Sequence, residues 1–348
     1  EYAPLLWNDE KNCWVIESDM VECEKTLGLL KMDFLGLENL DILNLALKYI
    51  KTTKKVAVHF HDINKADDLN VIRDIYACGR TNGVFQFESD GIKKALTGFN
   101  PTSIDDVILM NAAYRPGPMD SIPEITEVKN GTEKPNYIIP QMEQILGKTY
   151  GSAIYQEQIM QLFQLVGFSL GEADVIRRAM SKKHLDEIEA AKDKFVSGMI
   201  EQGGKPADVE KFWIRLLAFA SYAFNKSHAA AYSIVSYYTA FLKYYFPCEY
   251  LSAQLSYTPE KLKLFLSDLK YAGLTLLQPD INSGVPNFAP MPGNNKQIRF
   301  GIKAIKGVSA AAQIIYDLRD TKKSNPNAHH LGPCKDYKDF IVRSIVYG

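Results

Sequence analysis

Along most of this chain apolar residues recur at spacings of three and four, the period of a helix with one buried face. Leu40, Leu43, Leu47 and Ile50 make one such stripe, and Ile159, Leu162, Phe163 and Val166 another. Ile188, Ala191, Phe195 and Met199 make a third, and Gly203-Gly204 behind it predicts a stop, because glycine takes the left-handed conformation of a C-cap. Pro206 predicts the first turn of the next helix, with Val209, Trp213, Leu216 and Ala220 inside. The stretch "SYAFNKSHAAAYSIVSYYTAFLKYY" predicts a long buried helix that Pro247 ends, and Pro259 opens another that Gly273 closes. Residues 13–16 and 26–34 look like strands, "KQIRFGI" alternates like one, and "KAIKGVSAAAQIIYDLRD" reads as a turn leading into a helix. Pro- and Gly-rich loops fall at 114–124, 130–137 and 278–295. The fold class is mainly α. A small α/β start covers 1–36, a helical body 37–277, and a small C-terminal unit 278–348.

Length and composition narrow this picture. A chain of 348 residues suggests about two domains, and 46% apolar residues provide ample core and exclude disorder. The five cysteines are scattered, with no Cys-x-x-Cys spacing, which argues against a zinc site or disulfide framework and for a reducing cytoplasm. A net charge of -1 means that phosphate or nucleic-acid binding must come from local basic patches. The chain opens on Glu1 without a secretory signal and reads as a piece of a longer protein. Its most apolar segment, 229–246, contains Ser, Thr and Lys and reads as a buried helix, so no membrane is expected.

Four stretches carry candidate chemistry. In "GEADVIRRAMSKK" (171–183), Val175, Ile176, Ala179 and Met180 can pack inward, while Arg178 and Lys182 share a face one turn apart, flanked by Arg177 and Lys183. Such a cluster suits a polyanion, since the arginine fork matches phosphate oxygens; it equally suits a solvated face paired with Asp174 or Glu172. In "FNKSH", Asn225 or Ser227 can cap the helix that follows. Lys226 there opposes the helix dipole unless an anion lies nearby, a local conflict of the kind found at functional sites. His228, Tyr232 and Val235 share a face, which suits either a pocket wall or a core histidine. In "LLKMDFLGLENL" (29–40), Asp33 sits among apolar residues with Lys31 two positions away. This is either a buried pair or a metal-binding carboxylate. In "GIKAIKGVSAAAQII" (301–315), Lys303, Lys306 and Gly307 fit a helix-hairpin-helix turn that grips a DNA phosphate, although Ser309 stands where such a turn has its second Gly; an ordinary loop and helix fits as well.

Taken in order, "LGLLKMDFLGLENLDIL", "GVFQFESDGIKKAL", "AAYRPGPM", "YGSAIYQEQIMQL", "GFSLGEADVIRRAMSKK", "YAFNKSHAAAYSIVSYYTAFLKYYFPCEYLSAQL", "PDINSG" and "FGIKAIKGV" closely resemble the catalytic alpha subunits of the bacterial C-family replicative DNA polymerases. The resemblance runs over residues 15–320. It implies that 1–36 is the last segment of a palm, 37–277 a helical fingers domain, and 278–348 a distal fingers unit with a helix-hairpin-helix-like motif. It implies that Asp33 is a catalytic, metal-binding carboxylate with Lys31 beside it in the active site. Arg177 and Arg178 match residues that contact the incoming triphosphate, with Lys182 on the same helix. His228 matches a residue lining the nucleotide sugar, with Tyr222 beside it and Asn225 and Lys226 in the same motif. The family has Gly where Ser181 stands. Two Mg²⁺ ions, dNTPs, primer-template DNA, a sliding clamp and other replisome subunits are the implied cofactors and partners. The two upstream palm aspartates, Asp-x-Asp in the family, are absent from this chain, so the piece alone is expected to be inactive. Two other readings of the same strings are a purely DNA-binding helical module and an interaction scaffold with a solvated basic face.

Overall fold

The computed structural model describes all residues except 1–2, 33–35, 62, 64–67, 183, 221–222, 318–332 and 348; at 181–182, 185, 218–220 and 346–347 only the backbone is described. Backbone proximity divides the chain into Glu1–Asp41 and Ile42–Gly348.

In the first unit, β1 (Leu5–Asn8) pairs antiparallel with β2 (Cys13–Ile16), so that Trp7 faces Trp14. The two indoles meet edge to face at 5.3 Å. Asp19 starts α1 (Met20–Lys25) by accepting the Glu22 N–H at 2.8 Å, and α1 buries none of its residues. The strand expected at 26–34 does not form over its described part. Residues 26–32 are irregular, with Gly28 at φ 65°. Alternating residues make a strand only where a neighbour completes the ladder, and the described sheet here is the two-stranded β1–β2 hairpin.

From α2 (Glu38–Lys54) onward the chain is helical. α2 buries Ile42, Leu43, Ala46 and Ile50 and leaves Leu40 exposed. α3 (Leu69–Val71) runs on as a π-turn over Ile72–Ala77. Next come α4 (Asp90–Phe99), α5 (Ile104–Ala113) and α6 (Ile122–Lys129). They are followed by α7 (Met142–Leu146), α8 (Gln156–Leu165), α9 (Leu170–Lys182), α10 (Leu185–Glu201) and α11 (Pro206–Ala220). The long helix α12 (Lys226–Tyr245) passes directly into α13 (Pro247–Tyr257), with Pro247 as the first residue of the new helix, and α14 (Leu262–Tyr271) follows. Behind α10, Gly203 and Gly204 donate to Ile200 O and Met199 O, a Schellman stop at the expected place.

Three apolar clusters hold these helices. One joins α2, α4, α5, α6 and α12. A second joins α7 to α11 around Phe163, whose ring meets Phe168 (5.2 Å), Phe195 (4.9 Å) and Trp213 (6.2 Å). The third packs Cys248, Leu251 and Leu255 of α13 against Phe265, Phe288 and Ile298. Here β3 (Thr275–Leu277) runs parallel to β5 (Asn294–Arg299), and β4 (Ala289–Met291) lies antiparallel on its other side.

α12 is more than an apolar rod. Ser233, Ser236, Thr239 and Lys243 form a buried polar stripe along it. Ser233 receives a hydrogen bond from Asn111 of α5 (3.0 Å), and Ser236 bonds the Tyr76 hydroxyl (2.8 Å). Thr239 accepts the Phe85 N–H (3.1 Å), and Lys243 donates to Arg80 O and Asn82 O (both 2.8 Å) while pairing with Asp268 (2.6 Å). Burial pushes the Lys243 ammonium below its ordinary pKa, with Asp268 opposing the shift. Thr239 and Lys243 thereby pair the Phe85 N–H and the Arg80 and Asn82 carbonyls of the 80–85 loop, as burial of those groups requires.

Candidate functional site

The polar front of α12 is organised by the first turn of α8. Buried Gln158 accepts the N–H groups of Ile154 (3.0 Å) and Tyr155 (2.9 Å) and donates to Thr149 Oγ1 (2.7 Å) and Ile145 O (3.0 Å). The turn so fixed pairs with the strand-like lead-in to α12. The Phe224 N–H donates to Ile154 O (3.1 Å), and the Gln156 N–H to Phe224 O (3.0 Å). Next door, the Glu157 carboxylate accepts the Lys226 N–H at 3.1 and 3.2 Å and the Asn225 Nδ2 at 3.1 Å. Asn225 Oδ1 in turn accepts the His228 N–H at 2.8 Å. Asn225 is thus the cap, and Glu157 is the anion that offsets Lys226 at the positive end of the dipole.

His228 is exposed, not a core histidine. Its ring stacks on Tyr232 at 4.3 Å and 24°, and the Phe224 ring meets it edge-on at 5.3 Å. Tyr232 continues to Phe85 at 5.5 Å. The guanidinium of Arg115, from the "AAYRPGPM" turn after α5, lies 3.8 Å from the centre of the Phe224 ring. Burial lowers the Arg115 pKa, and its Nε makes no hydrogen bond among the described residues.

α9 packs on α8 through Ala173, Ile176, Ala179 and Met180, against Ile159, Leu162 and Phe163. A capping box starts α9: Ser169 N–H donates to Glu172 (2.7 Å), and Glu172 N–H to Ser169 Oγ (3.3 Å). Val175, expected inside, is 51% exposed. It sits on the outer side of the helix and lines a shallow cleft of about 200 Å³ with Arg178, Ala179, His184 and Glu187. Arg177 grips Asp174 Oδ1 through Nε (3.0 Å) and Nη2 (2.8 Å), and Arg178 holds Oδ2 through Nε (2.9 Å) and Nη2. The hydrogen bonds from Arg177 and Arg178 hold the Asp174 carboxyl below its ordinary pKa. One carboxylate therefore orients two guanidiniums and neutralises half their charge. α8 links the two motifs: its first turn seats the front of α12, and its body carries α9.

The remaining sequence candidates are on other elements or outside the described residues. Lys31 is exposed and lines a cleft of about 320 Å³ in the first unit with Ile16, Met20, Cys23, Leu29 and Leu30. Asp33 and Tyr222, and the Lys182 side chain, lie outside the described residues. Lys303 is exposed in the 3₁₀ segment Ile302–Ala304, and Lys306 and Gly307 are exposed on the turn between that segment and α15 (Ala312–Asp317), with Gly307 at φ 84°. Among the described residues no group of three or more His, Cys, Asp or Glu side chains is placed to hold a metal ion. No helix of the described residues is long and apolar enough to cross a membrane.

Sequence reasoning missed Glu157, Gln158 and Arg115. An acidic residue in the first turn of α8 is ordinary for that helix, and nothing local says it serves the N-terminus of another. Arg115 left a weak signal: a lone cation in a rigid Pro-Gly-Pro loop with no acid at helical spacing.

In this mainly helical body the basic helix α9 and the front of α12 share α8 as a support. Residues 39–203 match the family described as the bacterial DNA polymerase III alpha subunit finger domain. The chain is 40% identical over 329 residues to the DNA polymerase III subunit alpha of Aquifex aeolicus, covering 93% of this chain and 28% of that protein. It is 38% identical over 353 residues to that of Thermus aquaticus (99% and 28%) and 40% identical over 317 residues to that of Neisseria meningitidis serogroup B (90% and 27%). The chain belongs to the DNA polymerase III alpha subunit family and spans little more than a quarter of the length of the curated relatives it matches.

Proposed function

We propose that this chain supplies the fingers of a replicative DNA-directed DNA polymerase and binds the incoming dNTP opposite primer-template DNA. The observation that carries the reading is that α8 touches both motifs: its first turn bonds the front of α12, and its body packs on α9, which carries Arg177 and Arg178. In the reaction the primer 3′-hydroxyl attacks the α-phosphate, one P–O bond forms, another breaks, and pyrophosphate leaves. Arg177 and Arg178 orient the triphosphate and take up its charge. Asp174 keeps their forks aligned, and the His228–Tyr232 stack, with Asn225 and Lys226 at its base, walls the nucleotide. The motifs they sit in assign Tyr222 and Lys182 to nucleotide binding as well.

The described residues offer no donor set for a metal. Asp33 is the one carboxylate the palm motif offers, with Lys31 near it, and one carboxylate does not make a two-metal site. Mg²⁺ chemistry is therefore proposed for the complete subunit, and this chain alone is proposed to be inactive. Residues 1–36 contribute to the palm, 37–277 form the fingers, and 278–348 grip DNA through a helix-hairpin-helix-like turn at Lys303, Lys306 and Gly307. The complete protein works in the cytoplasm with a sliding clamp and other replisome subunits.

The test is steady-state primer extension by the complete subunit. Arg177→Ala and Arg178→Ala are each expected to raise the dNTP KM by about tenfold or more. Unaltered KM in both variants rejects the assignment. Asp33→Asn is expected to abolish extension while primer-template binding persists; full-rate extension ends its catalytic role.

A further inference from the structure

We infer that Arg115 is a phosphate-binding residue beside the aromatic wall of Phe224, His228 and Tyr232, taking an anionic oxygen of the dNTP or of the DNA backbone. The inference rests on the nucleotide reading of that wall. Arg115 differs in one respect from the two arginines of α9. Arg177 and Arg178 both hold Asp174, whereas Arg115 has no carboxylate partner among the described residues. Its Nε is buried and unbonded there. Withdrawing a guanidinium from water without an anion is unfavourable, and burial alone accounts for its lowered pKa. The Phe224 ring at 3.8 Å compensates in part, because a ring face attracts a cation. A ring leaves the edge of the guanidinium, with its N–H fork, open to a second partner.

The scaffold around Arg115 is rigid. The Arg115 N–H donates to Ala113 O (2.8 Å), and its carbonyl accepts the Met119 N–H (3.1 Å). Pro116 and Pro118 flank Gly117, which sits at φ 103° where a side chain would be strained. Behind the turn, α5 is fixed to α12 through Asn111 and Ser233. Phe224, under the guanidinium, is one edge-on ring contact from His228. A preorganised, undercompensated fork beside a nucleotide wall matches a phosphate oxygen, the one anion both substrates carry.

The experiment uses the complete alpha subunit with Arg115→Ala, Arg115→Lys and the Arg177→Ala/Arg178→Ala pair. Two constants are read: dNTP KM in single-nucleotide extension, and primer-template Kd by anisotropy at fixed salt. Arg115→Ala is expected to raise one of them by about 10- to 100-fold. Arg115→Lys is expected to recover part, because it keeps the charge and loses the fork. A rise in KM alone assigns the oxygen to the triphosphate. A rise in Kd alone, with a shallower salt dependence, assigns it to the DNA backbone. Unchanged KM and Kd in folded Arg115→Ala overturn the inference, and the nucleotide reading survives if the double variant still raises KM. If Arg115→Ala acts while the double variant is silent, the inference stands and the role of α9 falls. Should Arg115→Ala lose its cooperative melt, Arg115→Gln, which keeps a polar stem, is read in the same assays, and unchanged constants there overturn the inference.

Discussion

Residues 1–41 and 42–348 differ in how far they bury their large apolar side chains. In the first region Leu5, Leu6, Trp14, Met20, Leu30 and Met32 all stand exposed, Leu30 at 84% and Trp14 at 64%. In the second, Phe87, Phe99, Phe163, Phe195 and Phe265 are fully buried, and even polar Ser233, Ser236 and Thr239 lie inside. Composition does not separate the two, since both are rich in apolar residues. The difference is that the second region builds apolar cores, while the first holds a mostly exposed hairpin and a short helix that buries none of its residues. An apolar surface of that kind marks an interface. We read it as the face that the rest of the alpha subunit covers, in a family whose members are more than three times the length of this chain.

The comparison breaks if the second region tolerates core changes. Phe163→Ala removes the ring that meets Phe168, Phe195 and Trp213 and is expected to cost about 3–5 kcal/mol by denaturant unfolding. Lys129→Ala is expected to cost about as much, because it strands buried Asp106, which Lys129 contacts at 2.7 Å.

Acid sharpens the same point. Burial alone would raise the Asp106 pKa, but Lys129, the Thr102 N–H and the Tyr150 hydroxyl outweigh it and hold it below its ordinary value. On acidification the unfolded chain therefore takes its proton first. The stability from Asp106 is full above the ordinary carboxylate range and is lost as pH falls through the folded pKa. Asp106→Asn should melt below the parent at pH 7, and the gap should close on acidification toward and below the ordinary aspartate pKa; a constant gap contradicts the lock.

A smaller effect is expected at the front of α12. Asn225→Ala loses the cap on His228 N–H and should cost about 1 kcal/mol. The smallest is Trp14→Ala, within about 0.5 kcal/mol in this chain, which should nonetheless weaken packing of the complete subunit, read as a lower melting temperature there alone. An equal loss in both proteins removes the interface reading.

The helical body was legible from sequence because period and punctuation agree there. The Gly203-Gly204 stop, Pro206 and the stretch capped by Asn225 all fold as their patterns imply. The misses share a cause, which is that the deciding partner is remote. Residues 26–34 alternate, yet the described part lacks a ladder partner. Val175 is apolar yet faces outward. How the lysine within 229–246 could be buried was likewise not readable: Asp268 and the carbonyls of the 80–82 loop bring Lys243 inside. In the candidate site the Arg177–Arg178 pair and the cap were readable from local spacing. Glu157 and Arg115 were not, because each acts on an element far away in the chain.

The central claim is that α8, α9 and the front of α12 form the nucleotide site. The most direct test is amide hydrogen exchange of the complete subunit on a non-extendable primer-template, with and without Mg²⁺ and the matching dNTP. The account predicts added protection at 155–158, 174–180 and 224–232, and none in the Asp106–Lys129 lock. Protection that spares all three stretches contradicts it.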